Sequence, residues 1–308
     1  MGKTALAFDI GGSKGLVGII TDAGEVLAQK RIKWEKLTKE CVFAQLVGAA
    51  RELMAENPAV SIDVLGASIP GLTDAENGMW VEACFSGIGN WPIAQELKDE
   101  FGLECYIEND ANASAFAEKR FGGAKEYSDF IYLTVSNGVG GAAFCGGKML
   151  RGATGSAMEI GHVLAVEGGR KCGCGQHGCL EMHAAGPGIA LNYKELGGAP
   201  LENGELAQCI DIAARARAGE EIALKTFELE GQYLGRAIAA ACNLLNPQAV
   251  FIGGGVSLVF DLYGEELVKT MNKHMYLKAN SDVKVRPVEL GYNGSLLGAA
   301  AVAFEGLN

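Results

Sequence analysis

A short strand, a glycine-rich turn and a second strand occur in that order twice in this chain, about 125 residues apart, and this recurrence limits the fold more than any other feature. In the first copy, residues 4–9 alternate small and apolar side chains, 10–15 turn, 16–21 run apolar, 22–24 turn, and 26–32 return. In the second, 130–135, 136–141, 142–145, 146–147 and 149–151 repeat that order, in pattern rather than in residues. Residues 38–57 carry Val42, Leu46, Ala49, Ala50 and Leu53 at helical spacing, and 64–69 form a short buried strand. A helix over 93–101, a strand over 105–108 and a helix over 111–121 come next. Late in the chain a helix over 227–245 feeds a strand at 249–252, and a small-residue helix over 294–304 closes the pattern. Alternation of this kind predicts an α/β protein with two related lobes.

The bulk properties agree with two domains and exclude several functions. The chain has 308 residues, 49% of them hydrophobic and 20% charged. Its 44 glycines are about twice the usual share, and they cluster beside apolar runs, as turns and ligand loops do. A net charge of -11 argues against a nucleic-acid partner, whose phosphates demand clustered Lys and Arg. Met1-Gly2-Lys3-Thr4 leads straight into a strand pattern without a secretory signal, and no apolar run reaches the roughly 18–20 residues of a membrane span. Nine cysteines, three of them within eight positions, suit a reducing compartment and a metal site better than a disulfide framework. The expectation is a cytoplasmic protein with neither a membrane nor a nucleic acid as partner.

Four motifs carry chemistry. The first turn reads Asp9-Ile10-Gly11-Gly12-Ser13-Lys14-Gly15. Glycines there let backbone N–H groups approach phosphate oxygens, and Asp9 at the strand end is placed to hold a magnesium ion through water. The GxxxxGK[ST] spacing of a Walker loop is absent. The second turn, Ser136-Asn137-Gly138-Val139-Gly140-Gly141, offers a second phosphate grip. Gly253-Gly254-Gly255 comes after an apolar strand and admits a flat ligand such as adenosine close to the backbone; the GxGxxG spacing of a dinucleotide fold is missing. Asn109-Asp110 stands where a strand meets a helix. Asp is a preferred N-cap there, and it is equally placed to act as a general base toward a hydroxyl.

The strongest local signal is His162-x9-Cys172-x-Cys174-x4-Cys179. Three Cys and one His match the tetrahedral inventory of zinc, and Gly173, Gly175 and Gly178 let the backbone fold around an ion. Four protein ligands leave no open position, which predicts a structural zinc. Glu159 and Glu181 flank the cluster, so a metal knuckle would fix two carboxylates as directional acceptors for hydroxyls.

Taken together and in this order, these motifs resemble the ROK family (repressors, open reading frames and kinases), over nearly the whole chain. The resemblance implies an actin-like ATPase, ribonuclease H-like fold with duplicated βββαβαβα halves and an inter-domain cleft. It implies a smaller domain over 1–112, completed by the C-terminal helix 294–308, and a larger domain over 113–293 carrying the zinc knuckle. Residues 9–14 look like the first phosphate loop, 136–141 the second, and 253–257 the adenosine loop. Ile69-Pro70-Gly71 with Asp74 beyond it is similar to the family's Pro-Gly element, and Asn109-Asp110-Ala111-Asn112 to its base motif. Glu159-Ile160-Gly161-His162 with Cys172 to Glu181 matches its zinc and sugar signature.

The resemblance further implies phosphoryl transfer from magnesium-ATP to a hexose, with Asp110 taking the proton of the attacking hydroxyl. Asn109, Glu159, His162, Glu181 and the Gly71 element would hold the sugar, His162 using one ring nitrogen for zinc and the other for a hydroxyl. Glucose and its 6-hydroxyl lead, ahead of N-acetylmannosamine, allose and fructose. A homodimer is expected. The family also contains sugar-responsive repressors, whose DNA-binding domain precedes the first phosphate loop; here that loop begins at Asp9 and no basic recognition helix is present. A scaffold that binds sugar without catalysis is a third reading, against which Asp9 and Asp110 stand. Departures from the family pattern are Ser13 for Thr, Asn137 for Thr, Met158 for the Gly before the glutamate, and a divergent stretch at 82–91. Met158 is expected to crowd the sugar pocket.

Overall fold

A computed structural model describes residues 2–83 and 86–307. Cys84 and Phe85, in the divergent stretch 82–91, lie outside the described residues. The chain forms two compact units. The first comprises Met1–Glu126, Arg151–Ala157 and Glu289–Asn308; the second comprises Tyr127–Leu150 and Met158–Val288.

The first unit is built on β1 (Thr4–Ile10), β2 (Lys14–Thr21) and β3 (Val26–Lys33), then helix α1 (Lys39–Glu56) and strand β4 (Val64–Ile69). β5 (Leu72–Asp74), β6 (Met79–Ala83) and β7 (Ile88–Trp91) make a separate three-stranded antiparallel sheet. Helix α2 (Ile93–Phe101), β8 (Cys105–Asn109) and α3 (Asp110–Arg120) come after it. The main sheet has the order β3-β2-β1-β4-β8, antiparallel on one side of β1 and parallel on the other. β4 is buried at every residue, which explains its unbroken apolar run: a parallel strand covered on both faces has no polar side to show.

Local sequence fixes the ends of α1. Thr38 accepts the Cys41 amide as N-cap, worth about 1 kcal/mol, and Asn57 succeeds the last turn. The C-terminal helix (Gly294–Gly306) is rich in small residues because backbones pass close to it. A Cβ on Gly66 of β4 would stand 2.0 Å from the Ala299 carbonyl oxygen, and one on Gly298 would stand 2.6 Å from the Ala113 backbone of α3. Helix α3 lies whole in the first unit.

The second unit repeats the plan with β9 (Phe130–Val135), β10 (Val139–Cys145), β11 (Lys148–Met149), β12 (Ala249–Gly253) and β13 (Lys284–Pro287). Their order, β11-β10-β9-β12-β13, carries the same directions: antiparallel β11-β10-β9, then parallel β9-β12-β13. The two five-stranded sheets thus share one topology, as the recurring turns predict. Helices α4 (Glu181–Ala184), α5 (Gly186–Glu195), α6 (Cys209–Arg217), α7 (Glu221–Leu245), α8 (Phe260–His274) and α9 (Leu277–Asn280) complete the unit. Its core takes Ile131, Leu133, Ile189, Phe227, Leu234 and Ile252 from sheet and helices. Among the described residues no helix is long and apolar enough to cross a membrane.

Candidate active site

In the first unit the chemistry gathers at the ends of β1, β4 and β8, where these parallel-running strands leave the sheet. Asp9 pairs in register with Ser68 of β4, and Ser68 with Glu108 of β8. Gly11, Gly12 and Ser13 form the turn, which Gly11 N–H closes on Lys14 O at 2.9 Å; Lys14 already begins β2. Trp34 Nε1–H donates to Gly11 O at 2.8 Å, and its ring occupies the place a Cβ on Gly15 would need, 2.5 Å away. The tryptophan thus braces the glycine turn, a contact that sequence pattern did not signal. Burial first, and the charge of Asp110 second, push the Asp9 carboxyl up to about 7, against the opposing pull of Lys14.

The helix start differs from the expectation in one respect. Asn109, and not Asp110, is the N-cap of α3: its Oδ1 accepts Ala111 N–H at 2.9 Å and Asn112 N–H at 3.4 Å. Asp110 is the first helical residue, with Oδ1 accepting Ala111 N–H at 2.9 Å. The reason is local, since an Asn just before it already serves the free amides. Asp110 adds a second acceptor for the Ala111 amide and sits in the positive field of the helix start. Asn109 Nδ2–H donates to Gly71 O at 3.0 Å. Gly71 adopts φ 84°, and a Cβ on it would stand 2.3 Å from the Glu82 carbonyl oxygen, so the Pro-Gly element is glycine by necessity. Two further groups escaped the sequence reading. Glu108 is buried beside Asn109, and Arg151, far along the chain, reaches its Oε2 at 2.7 Å through Nη2.

In the second unit the glycine turn is shorter than its glycines predict. Ser136, Asn137 and Gly138 turn, but β10 starts at Val139, and Gly140 lies in the ladder opposite Thr134. Ser136 O accepts Gly186 N–H at 2.7 Å, tying the start of α5 to the turn. A cavity of about 280 Å³ is lined by Ser136 and Asn137 together with Gly255, Val256, Gln208 and Ile210. The second turn and the glycine triplet are thus brought to one cavity. Of the triplet only Gly255 lines it. Gly253 makes room for Tyr132, and Gly254, at φ 81°, passes Val135 O, each where a Cβ would clash.

The His–Cys cluster converges as its spacing predicts. The ligand atoms of His162, Cys172, Cys174 and Cys179 all lie within 4.8 Å of one another. Cys174 and Cys179 sulfurs are 3.6 Å apart, and Cys172 Sγ is 3.7 Å from His162 Nδ1. A tetrahedral ion with bonds of about 2.3 Å to sulfur sets ligand edges of about 3.8 Å, so the quartet fits zinc. The backbone permits it through Gly178, whose φ of 79° and close approach to Val166 O exclude any side chain. Glu159 leads into the short turn Ile160–His162, and His162 Nε2, on the ring edge away from the thiols, faces Glu159 Oε2 at 3.9 Å. Glu181 opens α4, with Oε2 accepting Val139 N–H at 3.1 Å. Met158 holds φ 68°, a left-handed conformation that accounts for glycine being usual at this position, and its side chain packs against the core of the unit.

A model of the ROK family matches residues 5–305. The chain belongs to the ROK family. This ROK protein is 29% identical to the glucokinase of Streptomyces coelicolor over 99% of its length and 98% of the relative's. It is 31% identical to the glucokinase of Halalkalibacterium halodurans, covering 86% and 83% of the two chains. It is also 27% identical to the xylose repressor of Bacillus spizizenii, over 94% of this chain and 74% of that one. Among solved structures, a ROK family transcriptional regulator homologous to the E. coli MLC protein superposes with a TM-score of 0.92 at 26% identity, over 100% and 79% of the chains. The Streptomyces griseus glucokinase, solved with glucose and AMPPNP, gives 0.83 at 28% identity, over 98% and 100%. The α/β architecture with its mixed sheets is that of the ROK sugar kinases, an actin-like ATPase fold.

Proposed function

We propose that this ROK protein is an ATP-dependent sugar kinase acting on a hexose, with glucose as substrate and the 6-hydroxyl as acceptor. The observation that carries this reading is the start of α3, where Asn109 takes the capping duty and leaves the Asp110 carboxylate first in the helix. In the reaction the Asp110 carboxylate receives the hydroxyl proton as the sugar oxygen attacks the γ-phosphorus. The bond from that phosphorus to the β–γ bridging oxygen breaks, and ADP leaves with its electron pair. In the first unit Asn109 and the Gly71 element are assigned to sugar hydroxyls, and in the second unit Glu159, His162 and Glu181 are. Residues 11–14 and 136–138 hold phosphates, and the cavity beside Gly255 takes the nucleoside.

Asp9 is the residue suited to magnesium, which as part of the nucleotide complex neutralises phosphate charge. The His162 quartet is suited to a structural zinc, and Nδ1 toward the thiols leaves Nε2 for a sugar hydroxyl. The protein is read as a cytoplasmic homodimer. A second reading, a sugar-responsive regulator, is favoured by the TM-score of 0.92 to a transcriptional regulator.

ADP release from magnesium-ATP separates the two, measured with glucose, mannose, fructose, allose, N-acetylglucosamine and N-acetylmannosamine. Turnover on one sugar, reduced by about 10²–10⁴ in Asp110→Asn while sugar binding persists, establishes the kinase and its base. Sugar binding without turnover across the panel supports the regulator instead.

A further inference from the structure

Glu108 is an ionisable side chain in an unusual position: only 2% exposed, at the end of β8, immediately before Asn109 and Asp110. Both of its oxygens are committed. Oε1 accepts Asn109 N–H at 3.1 Å and Asn112 Nδ2–H at 3.1 Å. Oε2 accepts Arg151 Nη2–H at 2.7 Å and Nε–H at 3.2 Å. One carboxylate thus holds the residue just before Asp110 and the residue two beyond it, and a guanidinium holds the carboxylate.

Arg151 is well supplied for this task. Its guanidinium also lies 5.7 Å from the ring of Phe116, one and a half turns into α3, so it grips strand and helix at once. The segment that carries it, Arg151–Ala157, belongs to the first unit and closes on itself through Ala157 N–H to Arg151 O at 3.0 Å. A carboxylate as buried as Glu108 is costly unless a partner compensates it, and a forked guanidinium does so with fixed geometry.

We propose that Glu108 and Arg151 are positioning residues for Asp110: the ion pair locks the strand-to-helix turn from Asn109 to Asn112 and presents the Asp110 carboxylate in one orientation. The inference rests on the reading of Asp110 as the base. Neither residue touches the substrate in this account. Removing the guanidinium leaves a buried carboxylate without its counter-charge, and its hold on Asn109 N–H and Asn112 is the part that gives way. A misplaced base is expensive, because an error of about 1 Å at the reacting atoms costs about 10²-fold in rate.

The test is steady-state kinetics on Arg151→Met, Arg151→Lys and Glu108→Gln, beside the unaltered protein and Asp110→Asn, with calorimetric sugar binding and thermal unfolding of each. We expect kcat to fall about 30- to 100-fold in Arg151→Met and Glu108→Gln. Arg151→Lys should recover part of the loss, while KM for ATP and sugar affinity change less than about threefold. Unaltered kcat per folded molecule in all three variants, with only a lowered unfolding temperature, overturns the positioning role while Asp110 stands. Equal turnover in the unaltered protein and Asp110→Asn overturns the base assignment and this inference with it.

Discussion

The Glu181 carboxylate accepts the Val139 amide at 3.1 Å, so one side chain joins the end of the cysteine knuckle to the strand that leaves the second glycine turn. The same carboxylate has its other oxygen 4.0 Å from Cys172 Sγ. The knuckle, the turn and a sugar-binding candidate therefore share a single group.

Gly138 is the position most sensitive to this arrangement. A Cβ there would stand 2.5 Å from Glu181 Oε2, displacing the carboxylate from Val139. Hydrogen bonds to charged groups contribute about 1.5–3 kcal/mol to stability, so Gly138→Ala should lower the unfolding temperature by roughly several °C and, by moving Glu181, raise the sugar KM about 10-fold. An unchanged KM would separate Glu181 from sugar binding.

For the knuckle, metal analysis of freshly purified protein should find about one zinc per chain, and Cys179→Ser should lose it. Burial raises the Cys172 and Cys179 thiols above their ordinary range, so a divalent ion is needed to hold them as thiolates. Chelation should lower the unfolding temperature by roughly 10 °C or more. Zinc-free protein with the same unfolding curve would sink the structural assignment.

At residue 158 backbone conformation outweighs apolar area. Met158 holds φ 68°, which glycine adopts freely and a β-branched residue resists. Met158→Val should therefore destabilise the protein more than Met158→Gly, by about 1–2 kcal/mol, although valine retains more hydrophobic surface. Chemical denaturation of the pair gives the order directly, and the reverse order would refute the strain argument.

Helix α7 carries the opposite kind of anomaly. Glu230 is fully buried, neither of its oxygens has a hydrogen-bond partner among the described residues, and burial raises its carboxyl well above the ordinary value of 4.5. The folded chain then binds this proton more tightly than the unfolded chain. Its contribution is fully present below the unfolded value near 4.5 and is lost as pH rises toward the folded value. Replacing it by the similar-sized Met should stabilise the protein by about 1–3 kcal/mol at neutral pH. The advantage should grow between pH 5 and pH 8; an advantage independent of pH would place the cause in packing alone.

Much of the fold is legible because local signals and burial agree. The strand at 64–69 and the helix at 93–101 match β4 and α2 residue for residue, since an unbroken apolar run and an amphipathic stretch each admit one reading. The sheet of β5, β6 and β7 left no such signal. It is pinned by Trp80 and Trp91, stacked with centroids 5.6 Å apart on neighbouring strands, a pairing invisible until the chain turns back. Gly140 reads as part of the turn for the opposite reason, since in sequence a glycine inside a strand looks like a glycine beside one.

At the candidate site, the convergence of the His162 quartet, the helix start at Asn109-Asp110 and the glycine turns are readable because each is written in a short spacing. Arg151, 43 residues beyond Glu108, was not, because its meaning depends on a buried partner that composition cannot place. Local periodicity and ligand spacing were enough to specify the doubled α/β plan and the ROK signature. Folding had to settle that Asn109 caps α3 in place of Asp110, that Glu181 reaches Val139, and that Arg151 balances Glu108. These are contacts between groups distant in the chain or equivalent in local propensity, and burial and hydrogen-bond satisfaction choose among them once the fold has formed.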